Sequence, residues 1–209
     1  PPELMPFKSY LEGRSMLVKK LRVIPVECIV RGYISGSAWS EYQQSRSIGG
    51  MAIEEDLRES QKFAQPLFTP STKASTGHDV NISFEQMKQR MDPAIADYIK
   101  EKSLELYKWA HAKLLDKGIV LADTKFEFGA LGNNIILADE ALTPDSSRFW
   151  DLSLYEVGHS PASFDKQIVR DYLISTGWDK QPPAPCLPEE IVHKALEKYR
   201  QIRDLIVGD

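Results

Sequence analysis

Charges at every second position of an otherwise apolar run constrain this chain more than any other feature. Residues 118–150 read GIVLADTKFEFGALGNNIILADEALTPDSSRFW. In a β-strand alternate side chains share a face, so Asp123, Lys125 and Glu127 point one way while Thr124, Phe126 and Phe128 point the other. Residues 129–134 supply turn chemistry, and Ile135 to Leu137 reads as a returning strand that ends in Asp139 and Glu140. Such a hairpin gathers several carboxylates around one ammonium. That grouping suits a magnesium ion shared with nucleotide phosphates, since Mg²⁺ takes one or two carboxylates plus phosphate oxygens and water. It equally suits a solvated, salt-bridged sheet face, and spacing alone does not separate the two.

The rest of the chain reads as a mixed α+β domain, because its strand signals cluster instead of alternating evenly with helices. Residues 15–34, rich in Val, Ile and Leu and broken by Pro25, predict two short strands. Gly36, Ser37 and Trp39 open a more irregular section. Residues 45–75 read mainly as loop with a short helical turn near 55–62. The main helical region is 83–117, with Asp92 as N-cap, Pro93 at the first helical position and Gly118 as the stop. Its expected apolar face is Ile95, Tyr98, Ile99, Leu106, Trp109 and Leu114. Another helix is expected from Ser163, where Asp165 favours the first turn and Phe164, Ile168, Val169, Tyr172 and Leu173 follow helical spacing. Pro182, Pro183 and Pro185 mark a linker, and an amphipathic helix over 188–207 buries Ile191, Val192, Ala195, Leu196, Tyr199, Ile202 and Ile206.

Composition narrows the partners. A net charge of -4 gives no electrostatic reason to expect nucleic acid, although local basic groups can still hold a small phosphate. No apolar run approaches the roughly 20 residues of a membrane span, and the first residues lack the basic and apolar regions of a signal peptide. Cys28 and Cys186 are far apart and lack metal-type spacing, so a reduced, cytoplasmic compartment is the simplest reading, with a single disulfide as the alternative.

Three further groups carry chemistry. Arg31, Gly32, Gly36 and Ser37 combine an arginine fork, a hydroxyl and exposed backbone N–H groups where a strand meets a small-residue turn, which makes either a phosphate cradle or a capped turn beside a solvated arginine. The segment PLFTPSTKASTGHDVNIS concentrates Thr69, Ser71, Thr72, Lys73, His78 and Asp79; it is either a flexible polar loop or a contact for a substrate carboxylate through Lys73 and His78. In TPDSSRFW, Phe149 and Trp150 read as core anchors, whereas Arg148, close to the acidic hairpin, is a candidate for a phosphorylated substrate. The chain has no GxxxxGK[ST] loop, no GxSxG elbow and no HExxH motif, and His111, His159 and His193 read as structural or solvated.

Five segments, in order, VECIVRGYISGSAW, PLFTPSTKASTGHD, GIVLADTKFEFG, LADEALTPDSSRFW and SFDKQIVRDYL, closely resemble the SAICAR synthetase family of purine biosynthesis, from about Leu11 to the C-terminus. The resemblance implies a two-lobe, kinase-like and ATP-grasp-like α+β fold. It implies a ligase that uses ATP to join L-aspartate to the carboxylate of carboxyaminoimidazole ribonucleotide, through an acyl phosphate, giving SAICAR, ADP and phosphate. By motif position it implies Glu127 and Asp139 as magnesium and ATP ligands, with Asp123 nearby and Lys125 against the reacting phosphate or carboxylate. It implies Arg31, Ser37 and Arg148 at the ribonucleotide 5′-phosphate, and Lys73, His78 and Asp79 in substrate binding generally.

One departure sets a further expectation. Members of this family normally begin with a nucleotide loop and a DRxSxFD-like segment not seen here, so the N-terminal lobe is expected to be incomplete, with 1–36 its remnant and 37–209 the substrate- and ATP-binding domain. A separate N-terminal segment is then the expected partner, and residues around Leu17, Val23, Ile24 and Ile29 are expected to be left unpaired. A binding fragment without catalysis and a kinase-like phosphotransferase are the competing readings; dependence of ADP release on aspartate separates them from a ligase.

Overall fold

The computed structural model describes residues 1–73, 80–164, 166–179 and 181–208. A short 3₁₀ segment, Pro2–Phe7, and helix α1, Lys8–Leu11, lead into strands β1, Arg22–Val23, and β2, Val26–Tyr33. Pro25 separates these two strands, as its missing N–H requires. Helix α2, Gly36–Ser45, is followed by strands β3, Ser47–Ile48, β4, Met51–Ala52, β5, Lys62–Phe68, and β6, Ser71–Thr72. Helices α3, Phe84–Arg90, and α4, Pro93–Leu115, precede strands β7, Ile119–Leu131, β8, Asn134–Ala138, and β9, Ser147–Asp151. Helices α5, Gln167–Ser175, and α6, Glu189–Val207, complete the described elements.

All strands except the β3–β4 hairpin join one antiparallel sheet built on β7. The first half of β7 lies between β2 and β9, with Arg31 opposite Asp123 and Asp123 opposite Arg148. Its second half lies between β1 and β8, with Val23 opposite Gly129 and Glu127 opposite Ala138. The turn to β8 occupies Gly132 and Asn133, and Gly132 takes a positive φ of 60°.

A register shift between Leu121 and Asp123 changes which face each β7 side chain takes. Leu121 and Phe126 enter the same core despite their odd separation, and Phe128 follows Phe126 into it. Asp123, Lys125 and Glu127 are thereby left together on the opposite face, as the alternation predicts. Val120 and Ala122, before the shift, pack instead with Tyr33 and Trp150.

Helix α4 covers the core face. Asp92 caps it through Ala94 N–H at 2.8 Å, Pro93 is its first residue, and Gly118 takes a positive φ of 74° shortly after its end. The buried stripe is Ala96, Ile99, Ser103, Tyr107, Ala110 and Leu114. This corrects the expected apolar face, because Tyr98 and Trp109 are exposed. Small residues occupy the side that approaches the sheet, and the large aromatics had drawn the sequence reading round the helix. Gly32 in β2 completes the approach: a Cβ there would lie 1.8 Å from Tyr107 Oη. Tyr107 is itself held by donating to the Leu121 carbonyl at 2.7 Å.

Other expectations change as well. The section from Gly36 is a helix, not irregular chain, and the helical turn expected near 55–62 is absent. Residues 62–68 form β5 instead, an edge strand that tolerates Pro66 because one side of it makes no ladder bonds. The helix expected from Ser163 starts at Gln167; Phe164 is buried ahead of it, and Asp165 lies outside the described residues. In α6, Ile202 is buried but Val192 and Leu196 are largely exposed. Of the residues expected to be left unpaired, Leu17 is exposed, but Val23, though exposed, pairs with Gly129 in the β1–β7 ladder, Ile24 packs against the core and Ile29 sits in the β2–β7 ladder. Cys28 is buried and unpaired, its thiol pKa pushed up to about 12 by burial, and Cys186 is exposed and unpaired. Among the described residues no helix is long and apolar enough to cross a membrane.

The contact between Gly32 and Tyr107 sets the distance from helix to sheet. Gly32→Ala is therefore expected to destabilise the fold by about 1–3 kcal/mol, the usual cost of forcing a group into a packed interior. The check is a lower urea midpoint at unchanged slope; an unchanged midpoint would show that α4 yields freely.

Candidate active site

The open face of the sheet carries the charged row, and the two strands flanking β7 complete it. Asp123 sits between two arginines. Arg148 Nη1 donates to Asp123 Oδ2 at 2.5 Å and to Ser35 Oγ at 2.9 Å. Arg31 Nη1 lies 3.6 Å from the same carboxylate oxygen. Ser35 Oγ also donates to Asp123 at 3.3 Å, so the hydroxyl links the acid to Arg148. The chain at Gly36 must pass close to that guanidinium: its φ is 54°, and a Cβ would sit 2.7 Å from Arg148 Nη2. Glycine is needed there both for the backbone conformation and for the approach.

Arg31 is only 5% exposed, and its donors are used in separate directions. Nε donates to Thr69 Oγ1 at 2.9 Å and Nη2 to Ser37 Oγ at 3.4 Å. Burial lowers its pKa and Asp123 opposes that shift.

Two positions along the row, Lys125 donates to Glu27 Oε1 and to Glu127 Oε1, each at 2.9 Å. Burial works against the ammonium, but the hydrogen bonds it donates to Glu27 and Glu127 outweigh it and hold the Lys125 pKa above its ordinary value. Lys73 pairs with the other oxygen of Glu127. Burial alone would raise the Glu127 pKa; the hydrogen bonds from Lys73 and Lys125 reverse the sign and hold it down. Ser71 donates to Glu27 at 3.2 Å, which ties β6 to the same network.

Two cavities open on this row. The smaller, about 170 Å³, is polar and contains Arg31, Ser37, Asp123, Lys125 and Arg148, with Lys166 and Arg170 from the start of α5. The larger, about 740 Å³, holds Lys73, Glu127 and Asp139 against an apolar wall that includes Met16, Val18, Leu21, Val23 and Ile136. Lys125 and Glu127, two residues apart on β7, therefore face different cavities along a single line. Asp139 follows Ala138, the register partner of Glu127, and both residues line the larger cavity.

Every proposed site residue that is described lies on this face. His78 and Asp79 lie outside the described residues. The sequence reading missed Glu27, Ser35, Lys166 and Arg170. Lys166 and Arg170 carried a legible signal, since a spacing of four on a helix puts two cations on one side. Glu27 and Ser35 carried none, being single polar residues at the ends of an apolar strand.

The whole of this arrangement, with its neighbours in sequence, matches one family model. SAICAR synthetase is the family, and the match covers residues 5–185. The chain belongs to the SAICAR synthetase family. A phosphoribosylaminoimidazole-succinocarboxamide synthase of Thermodesulfovibrio yellowstonii is 56% identical over 202 residues, covering 96% of this chain and 69% of the relative. The Saccharomyces cerevisiae SAICAR synthase, solved complexed with SAICAR, superposes with a TM-score of 0.88 at 42% identity, covering 100% of this chain and 69% of that one. A SAICAR synthetase solved in complex with ADP superposes with a TM-score of 0.66 at 27% identity, covering 92% of this chain and 66% of that one. The α+β fold is thus the SAICAR synthase fold, and membership of the SAICAR synthetases assigns the chain to the ligases of purine biosynthesis.

In the Arg31, Asp123 and Arg148 cluster one largely buried carboxylate lies between two guanidinium groups, so its removal takes away the anion that both arginines share. Asp123→Asn is expected to cost about 3–5 kcal/mol, the range found when one partner of a buried pair is lost. Urea denaturation at neutral pH measures it; a loss below 1 kcal/mol would show that water already solvates the arginines.

Proposed function

We propose that this chain binds a phosphorylated imidazole ribonucleotide in the smaller cavity and ATP in the larger one. On this reading it joins L-aspartate to the ribonucleotide carboxylate to give SAICAR, ADP and phosphate. The observation that carries the proposal is the line Asp123, Lys125, Glu127, which runs from an arginine-lined polar cavity to a carboxylate-bearing cavity with an apolar wall. Two anionic substrates bound at its ends would meet at Lys125.

The proposed division of labour follows from the chemistry of each group. Arg31, Ser37 and Arg148 hold the 5′-phosphate, because arginine forks bind phosphate bidentately. Apolar residues of the larger cavity take the adenine. A carboxylate acylates poorly, since its leaving group would be oxide, so the γ-phosphoryl group of ATP is first transferred to it. The aspartate amine then attacks the acyl phosphate and phosphate leaves. Lys125 offsets the charge that gathers on the phosphoryl oxygens during transfer. Asp123 fixes the two arginines, and Lys73 exchanges its bond to Glu127 for a substrate carboxylate. On the same reading His78 and Asp79 take part in substrate binding.

Glu127 and Asp139 suit Mg²⁺: both are carboxylates lining the larger cavity, with open volume for phosphate oxygens and water. The ion would supply further positive charge at the β- and γ-phosphates. The unpaired Cys28 and Cys186 fit a reducing, cytoplasmic setting. We also propose that the 1–36 and 37–209 segments derive from separate lobes, their boundary falling after the first residue of α2.

ADP release that requires both aspartate and the imidazole ribonucleotide is the expected result for the chain assayed with ATP and Mg²⁺. Release without aspartate would indicate a phosphotransferase, and none at all a binding fragment. Glu127→Gln and Asp139→Asn are expected to weaken Mg²⁺-dependent ATP binding about tenfold or more, measured by calorimetry on variants that keep a cooperative urea transition. An unchanged magnesium dependence would remove both residues from the metal site.

The arginines make a separate expectation. Arg148→Ala should raise the KM for the ribonucleotide by about 2–3 kcal/mol in free-energy terms, with little change for ATP or aspartate. Arg148→Lys should rescue it only in part, because a point charge lacks the fork. Equal rises for all three substrates would indicate a general loss of structure.

A further inference from the structure

Arg31 reaches the smaller cavity from inside the sheet, and one buried hydroxyl decides how its guanidinium is turned. The Nε–H donates to Thr69 Oγ1 at 2.9 Å in a fully buried contact. Thr69 is itself only 2% exposed. Its backbone N–H donates to the Ile29 carbonyl at 2.9 Å, which continues the β2–β5 ladder one residue past Phe68 and sets Thr69 beside Arg31.

The threonine rotamer is fixed from its other side. The β3–β4 turn crosses over it at Gly49, whose φ is 58°, and a Cβ at Gly49 would lie 3.0 Å from Thr69 Cγ2 and 3.1 Å from Thr69 Cβ. With the methyl held against this turn, Oγ1 is the group left to face Arg31. Because Nε–H lies in the guanidinium plane, a fixed acceptor there limits rotation of the fork about the Cδ–Nε bond. Ser37 and Asp123 then meet its Nη groups at the cavity rim.

We propose that Thr69 is a positioning residue for Arg31, and that the β3–β4 turn, by locking the Thr69 rotamer, sets the selectivity of the small cavity for a phosphorylated over a dephosphorylated nucleotide. The inference rests on the proposed ribonucleotide site. It assigns phosphate recognition to a residue that faces no solvent and touches no substrate.

The test is calorimetric binding of SAICAR and of its 5′-dephosphorylated counterpart to the wild-type chain, Thr69→Val and Thr69→Ser. Valine keeps the shape and removes the acceptor, which leaves a charged donor buried without a partner. Thr69→Val is expected to bind SAICAR about ten- to a hundredfold more weakly, the range for a hydrogen bond to a charged group, and to bind the dephosphorylated compound as the wild type does. Thr69→Ser, which retains the hydroxyl, is expected to recover most of the SAICAR affinity. In turnover assays the KM for the imidazole ribonucleotide should rise while those for ATP and aspartate stay level. If Thr69→Val loses its cooperative thermal transition, Thr69→Ala, which also removes the acceptor, takes its place in the comparison. Wild-type affinity for SAICAR in a folded variant lacking the hydroxyl would overturn the inference alone. A wild-type chain that binds both compounds equally would overturn the phosphate site, and the inference with it.

Discussion

The structure depends on β7 having two incompatible faces. One side of this strand carries Phe126 and Phe128 into the core under α4, and the other carries Asp123, Lys125 and Glu127. Burying Phe126 and Phe128 contributes about 2–3 kcal/mol each, which anchors the strand and holds the charged residues on the open side. A slip of one residue would exchange the faces and drive three charges into the core, so the register is strongly specified. The chemistry therefore sits on a rigid base. Neither the row nor the core can move without the other.

Charge neutralisation within the row is the second constraint. Asp123 serves two arginines, and Glu127 serves two lysines. Each carboxylate keeps a pair of cations close enough to receive an anion while preventing their mutual repulsion from opening the strands. Binding of a phosphate or carboxylate at either end would give these cations a further anion to pair with. On the proposed reading these paired cations let a protein whose net charge is -4 collect anionic substrates.

Legibility varied with the range of the contact. The strand alternation, a turn within 129–134, the Asp92 and Pro93 helix start and the break at Pro25 were all readable, because each is decided within a few residues, although β7 runs on to Leu131 and narrows that turn to 132–133. The buried stripe of α4 was not. It is set by Gly32, Ala96 and Ala110, whose small size matters only when a sheet lies against them. The edge strand β5 was hidden by Pro66 and by charge, since only its partner β2 identifies it as a strand. Within the site, the motif residues were legible by resemblance, whereas Glu27, Ser35 and Thr69 acquire meaning from neighbours more than 35 positions away.

The sequence by itself determined the α+β class, the two-faced strand and the residue types able to hold phosphate and a hard cation, because side-chain alternation and ligand chemistry are local properties. The tertiary structure decided that the row divides between two cavities, that α5 closes one of them with Lys166 and Arg170, and that a buried threonine orients Arg31. A sequence lists donors and acceptors without their directions. Those directions come from strand register, from the shift near Leu121 and from the packing of turns over side chains, and each of these exists only once distant segments share a sheet.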